Sequence, residues 1–309
     1  MKIVAMGSGG VGGFFGGKLA HAGADVTFIA RGKHLAALRE HGLLIENKTE
    51  GNIHLPKVNA TDDPAGIGPV DLVLVGVKLW DIEAAAQAIK PIVGPDTAVL
   101  SLQNGVIKDD ILRRVFGDKA VMGGVGYVAA SIARPGVIRQ VGKLQKLFFG
   151  EYDGSRSARA QTLLKLALKA GLQAELSTDI RRTLWEKYTF LVGLSGTTTT
   201  MRMPIGPIRS NPQTRVFLHD LMKEVVAVGR AHGVALPENY ADERLAFADS
   251  VSPDMTSSMH HDLEAGNPLE VEWLSGGVVT LGAQVNVPTP VNRAVWDVLA
   301  LHALGRKRH

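Results

Sequence analysis

The chain has 309 residues, 45% hydrophobic and 21% charged, with a formal net charge of +4. That is the balance of a globular protein long enough for two domains and a sizeable core. It contains no cysteine, which excludes disulfides, thiolate metal sites and cysteine nucleophiles and suits a reducing cytoplasm. The apolar start is too short for a secretory signal, and no apolar run reaches the roughly 18 residues of a membrane span. Basic residues are scattered except in Arg306-Lys307-Arg308-His309, which reads as a solvated chain end. Neither a membrane nor a nucleic acid is therefore expected as a partner, whereas a mild positive field suits small anions.

In chain order, Lys2–Met6 reads as a buried strand, then Val11–Ala22 as a helix, Asp25–Ala30 as a strand and Lys33–His41 as a helix. Strands over Val70–Val75, Thr97–Leu100 and Ala120–Val125 alternate with helices over Ile82–Ile89 and Asp109–Phe116. Such alternation predicts βαβ units and a parallel sheet covered on both faces. Tyr127–Gly150, broken by Pro135-Gly136 and Gly142, reads as antiparallel strands extending that sheet. A helix over Ala158–Ala170 and a strand over Gln173–Leu176 follow. Beyond this point strand signals vanish. Helices are expected over Asp179 to about Leu194, Thr214–His232, Ala241–Ala248, Pro268–Leu281 and Asn292–Leu304. The fold class is thus α/β: a Rossmann-type domain over residues 1–177, its parallel sheet carrying an antiparallel extension, then an all-α domain over 178–309.

Gly7-Ser8-Gly9-Gly10-Val11-Gly12 has the G-x-G-x-x-G spacing and stands where a strand turns into a helix. Gly7 allows the tight turn, Gly9 the approach of a pyrophosphate and Gly12 close helix–strand packing. The helix N-terminus adds N–H groups and a positive dipole end for phosphates. Segment 7–12 is therefore expected to bind a dinucleotide. An NAD-binding chain usually carries an acid about 20 residues further on, for the ribose 2′-hydroxyl. Here the strand ends Phe28-Ile29-Ala30-Arg31-Gly32-Lys33, without an acid. Arg31 suits a 2′-phosphate, because a guanidinium pairs with phosphate in a fork; the cofactor expected is NADP(H).

Three further segments stand out: Val77-Lys78-Leu79-Trp80 and Gln103-Asn104-Gly105, each after a parallel strand, and Leu184-Trp185-Glu186-Lys187 in the first helix of the second domain. The first two lie at carboxyl ends of strands, where α/β sheets place ligands. With the glycine turn and the later Ser257-Ser258-Met259 and Leu269-Glu270-Val271-Glu272, they stand in an order that resembles the ketopantoate reductase family. The resemblance covers nearly the whole chain.

It implies NADPH-dependent reduction of a 2-oxo acid to a 2-hydroxy acid, ketopantoate to pantoate being the type reaction of pantothenate biosynthesis, with substrate held between the domains. It implies Lys187 as general acid with Glu270 as its charged partner, Asn104 and Ser258 as substrate contacts, and Arg31, Lys78 and Asn104 at the cofactor, Lys78 near both ligands. The chemistry agrees: hydride addition to a ketone leaves an alkoxide that needs a proton donor, and an amide N–H can meet the oxygen where charge develops. Other readings stay open for Glu270 as the third residue of a helix capped by Asn267, for Ser258 as a helix cap, and for Asn104 as a turn former.

In the best-known members of that family, the positions four and eight residues after the catalytic lysine carry asparagines. Here they hold Leu191 and Ser195, on the same helix face as Lys187. Ser195 is kept as a substrate contact, and a more apolar 2-oxo acid becomes an alternative substrate. A non-catalytic NADPH sensor is the alternative from another class. His260-His261-Asp262 with Glu264 lacks a third ligand at useful spacing, so no metal is expected. The sequence specifies no dimer surface, and a homodimer stays open.

Overall fold

The structure is a computed structural model and describes residues 1–306; Lys307, Arg308 and His309 of the basic tail lie outside the described residues. The first part of the chain contains β1 (Lys2–Met6), α1 (Gly10–His21), β2 (Asp25–Ile29), α2 (Gly32–His41), β3 (Leu43–Glu46), β4 (Ile53–Leu55), β5 (Asn59–Thr61), β6 (Leu72–Val75), α3 (Ile82–Ile89), β7 (Ala98–Ser101), α4 (Lys108–Phe116), β8 (Val121–Arg134), β9 (Val137–Gly150), α5 (Ala158–Lys169) and β10 (Gln173–Leu176). The strands form one sheet in the order β4-β3-β9-β8-β7-β6-β1-β2-β5, with β10 also paired to β9. From β5 to β8 every pairing is parallel. β6 and β7 are buried along their whole length, as strands covered on both faces must be.

The extension is the β8–β9 hairpin, antiparallel, with a register shift between Val128 and Ala130. The strand expected over Ala120–Val125 and the first of the antiparallel strands are one continuous element, β8. A short hairpin, β3–β4, adds parallel to β9. β3, β4 and β5 fall in a stretch where no strand was expected, since three or four residues are too few to display a period. In α1, Phe14, Phe15 and Leu19 are buried. A Cβ at Gly16 would crowd Phe28 and Ala5, and one at Gly17 would crowd Ile45 and Leu43. Small residues on this face bring the helix close onto the sheet.

The second part holds α6 (Ile180–Met201), α7 (Ile205–Ser210), α8 (Pro212–Ala231), α9 (Tyr240–Ser250), α10 (Ser258–Ala265), a 3-10 turn (Glu270–Glu272), α11 (Ser275–Gln284) and α12 (Pro290–Leu299). Helix α6 runs past the expected end near Leu194, through Thr197–Thr200. The hydroxyls of Thr197, Thr198 and Thr200 donate to the carbonyls of Gly193, Leu194 and Gly196 at 2.8, 2.7 and 2.6 Å. That bonding satisfies them locally and lets a β-branched, polar run stay helical and buried.

The helix expected over Pro268–Leu281 is broken instead. The Tyr188 hydroxyl lies 3.0 and 2.6 Å from the carbonyl oxygens of Trp273 and Leu274, holding the backbone where the 3-10 turn gives way to α11. The Asn267 side chain donates to Asp262 at 3.1 Å and does not cap a helix, so Glu270 is not the third residue of one.

Contacts divide the chain into an α/β unit, Met1–Gln103 with Lys108–Thr183, and a helical unit, Asn104–Ile107 with the residues from Leu184 onward. Each has its own apolar core. No described helix is long and apolar enough to cross a membrane.

Candidate active site

The glycine turn joins β1 to α1. Gly7 has φ +89°, and a Cβ there would lie 2.6 Å from the Val77 side chain, so only glycine fits. A Cβ at Gly12 would collide with the carbonyl oxygen of Gly7, whereas one at Gly9 would meet nothing within 4 Å. Gly12 thus serves internal packing, and Gly9 leaves open space beside the start of α1. The first turn of α1, with Gly10 and Val11, carries no acidic residue, so no carboxylate of its own offsets the positive end of the helix dipole.

The N–H and hydroxyl of Ser8 both donate to the Ile29 carbonyl at 3.0 Å, tying the turn to β2. His34 braces it from α2: Nε2 is 2.9 Å from the Ser8 carbonyl oxygen, and the Gly136 N–H donates to Nδ1 at 3.1 Å. Two such partners require a neutral ring with its proton on Nε2. Burial pushes the imidazole pKa down, with the Ser8 carbonyl opposing.

Beyond the end of β2, Arg31 and Lys33 are exposed and no carboxylate intervenes between Ile29 and Lys33. Lys78, after β6, is exposed with Nζ 5.5 Å from the centroid of the Trp80 ring. These features fit a dinucleotide: open space at Gly9, an unopposed helix N-terminus, and cations at two strand ends.

Sequence reasoning missed a charged network behind β7. Lys108 is fully buried, and its Nζ donates to the carbonyls of Ser101 and Gly124 at 2.8 and 3.1 Å and to Asp109 at 3.1 Å. Tyr152 donates to Asp109 at 2.6 Å, and Arg113 stacks on the Tyr152 ring at 3.5 Å. Burial pushes the Lys108 pKa down against the opposing pull of Asp109, and burial followed by Asp109 pushes the Tyr152 phenol up. Only the Lys-Asp adjacency at a helix start hinted at this pair.

In the helical unit, Lys187 on α6 is half-buried, and its Nζ donates to Asn104 Oδ1 at 3.0 Å. Glu270 is buried on the 3-10 turn, its carbonyl accepting the N–H groups of Trp273 and Leu274. Leu191 is half-buried; Ser195 is fully buried with no partner for its hydroxyl. Ser258 is the exposed first residue of α10, and the cap is its neighbour Ser257, which accepts the His260 N–H at 3.1 Å and pairs with the Thr198 hydroxyl at 2.9 Å. His260 meets the Thr256 hydroxyl at 2.6 Å. Among the described residues no three His, Asp or Glu side chains gather into a metal-sized group.

A dinucleotide turn on an α/β sheet, joined in one chain to a helical unit where an amide holds a half-buried lysine, defines the class: a nicotinamide-dependent oxidoreductase. Family models described as ketopantoate reductase PanE/ApbA and its C-terminal part match residues 3–154 and 179–303. The chain belongs to the ketopantoate reductase family. It is 34% identical over 328 aligned positions to a 2-dehydropantoate 2-reductase of Mesorhizobium japonicum, covering 99% of each chain. A solved 2-dehydropantoate 2-reductase from Geobacter metallireducens superposes with TM-score 0.90 at 28% identity, over 97% of this chain and 99% of that one. A D-mandelate dehydrogenase solved with NADH and anilino(oxo)acetate shares the fold, with TM-score 0.88 at 21% identity and 98% coverage of each chain.

Proposed function

We propose that the protein reduces a 2-oxo acid to a 2-hydroxy acid with NADPH, and that 2-dehydropantoate is the first substrate to test. The observation that carries this reading is the hydrogen bond from Lys187 Nζ to Asn104 Oδ1. When bound, the nicotinamide supplies hydride to the substrate's carbonyl carbon. Lys187 protonates the resulting alkoxide oxygen. The Oδ1 of Asn104 faces Lys187, so its amide N–H group is the end that serves the carbonyl oxygen. Glu270 is the charged partner of Lys187, and Ser258 and Ser195 orient the substrate. Segment 7–12 holds the pyrophosphate, Arg31 the 2′-phosphate, and Lys78 stands near both ligands. In this reading residues 1–177 form the cofactor domain and 178–309 the catalytic domain of a cytoplasmic enzyme.

Leu191 and the unpartnered Ser195 hydroxyl favour a second reading of the substrate, as a more apolar 2-oxo acid. The D-mandelate dehydrogenase of the same fold was solved with anilino(oxo)acetate, an acid that carries an aromatic ring. NADPH oxidation measured over a panel of 2-dehydropantoate, branched-chain and aryl 2-oxo acids tests both. Highest kcat/KM on 2-dehydropantoate supports the first reading, and highest on an apolar acid the second. NADPH binding without turnover on any acid would sink both and favour a sensor.

A further inference from the structure

Gln103 lies two residues beyond the end of β7 and enters none of the roles above. It is buried, at 8% exposure. Its Oε1 accepts the Ser101 hydroxyl at 2.9 Å, while its Nε2 is buried without a partner. Ser101 is itself fixed, since its carbonyl accepts from the buried Lys108. Lys108, Ser101 and Gln103 therefore form a chain of hydrogen bonds that sets the orientation of the amide. An amide N–H left unpaired in the interior costs free energy, and such a group just beyond the carboxyl end of a parallel strand is placed where α/β sheets take their ligands.

The strand order says which ligand portion comes near. β2, β1, β6 and β7 are successive neighbours, spaced about 4.8 Å apart. The glycine turn marks the pyrophosphate over β1, and Arg31 at the end of β2 marks the adenosine side. The other half of a dinucleotide extends in the opposite direction, over β6 and β7. We propose that the Gln103 side-chain amide binds the nicotinamide half of the cofactor, its Nε2 donating to the oxygen of the nicotinamide carboxamide. This rests on the dinucleotide reading above.

Calorimetric titration of the full chain with NADPH and with 2′,5′-ADP, which lacks the nicotinamide half, tests it in the wild type, Gln103→Glu and Gln103→Met. The expected result is a loss of about tenfold in NADPH affinity in both variants, the size of one hydrogen bond, with 2′,5′-ADP affinity unchanged. Unchanged NADPH affinity, or equal losses for both ligands, overturns the assignment. Should the variants not fold, 15N spectra of the wild type decide: the Gln103 side-chain amide resonances shift with NADPH and not with 2′,5′-ADP, and stationary resonances overturn the proposal. A wild type that binds neither ligand refutes the dinucleotide reading itself, and the Gln103 assignment falls with it.

Discussion

Lys187 and Asn104, 83 residues apart in sequence, meet with Nζ 3.0 Å from Oδ1. In the proposed reading, the contact brings a proton donor beside an amide that can meet the carbonyl oxygen. Lys187→Ala is expected to lower kcat by about 10²- to 10⁴-fold, the usual worth of a general acid. NADPH affinity, measured by fluorescence titration, should stay as it was. A parallel collapse of cofactor binding would move Lys187 out of the proton-donor role.

Arg31 provides the test of cofactor choice. Arg31→Ala should weaken NADPH binding by about 10- to 100-fold, the worth of a charge-assisted hydrogen bond or two, and leave NADH nearly unaffected. Equal losses for the two dinucleotides would remove Arg31 from the 2′-phosphate.

Gly9 and Gly12 should part company. Gly9→Ala adds a methyl that touches nothing within the chain, so its thermal midpoint should match the wild type while dinucleotide binding falls. Gly12→Ala drives a methyl into the Gly7 carbonyl and should lower stability as well. Differential scanning calorimetry, paired with a binding titration, separates the two outcomes.

The brace at His34 predicts a pH dependence. Its folded-state pKa lies below the ordinary value, about 6.5. As the pH falls, the unfolded chain takes the proton first, so this contribution is complete above that value and is lost progressively below it. Protonation also removes the Nδ1 lone pair that accepts the Gly136 N–H. Between pH 7.5 and 5.5, His34→Gln should lose less of its thermal midpoint than the wild type does. Superimposable pH profiles would refute the brace.

Lys108→Met should be among the most damaging substitutions in the α/β unit. It leaves Asp109, 1% exposed, without its cation, a loss on the order of 3–5 kcal/mol in urea unfolding. Adding Asp109→Asn should restore part of the loss. A single variant within 1 kcal/mol of wild type, roughly the size of an exposed pair, would show the pair to be solvated.

The sheet was readable where burial on both faces writes continuous apolar runs, as in β1, β6 and β7. It was unreadable at β3 to β5, whose three or four residues are fixed by neighbours far away in sequence. The α6 threonines looked like a break because propensity penalises β-branched residues; their bonds to carbonyls one turn back override it. Glu270 illustrates the converse: Asn267-Pro268 spells a helix start, but Asn267 turns back to Asp262 and the Tyr188 hydroxyl holds the next carbonyls. In the candidate site, motif order singled out Lys187 and Asn104 separately, with Glu270 expected as the partner of Lys187; that Lys187 bonds to Asn104 came from the structure. The Lys108–Asp109–Tyr152 network and the Gln103 amide needed coordinates, because nothing in one-dimensional spacing marks a charge or an amide as buried.

Residues Asn104–Ile107 cluster with the helical unit although α/β residues flank them on both sides. A gene fragment encoding only the chain from Leu184 onward would therefore lack Asn104, whose Oδ1 accepts from Lys187. Recombination could not exchange this helical half between relatives as a self-sufficient cassette; a chimera needs the four-residue stitch matched to it as well.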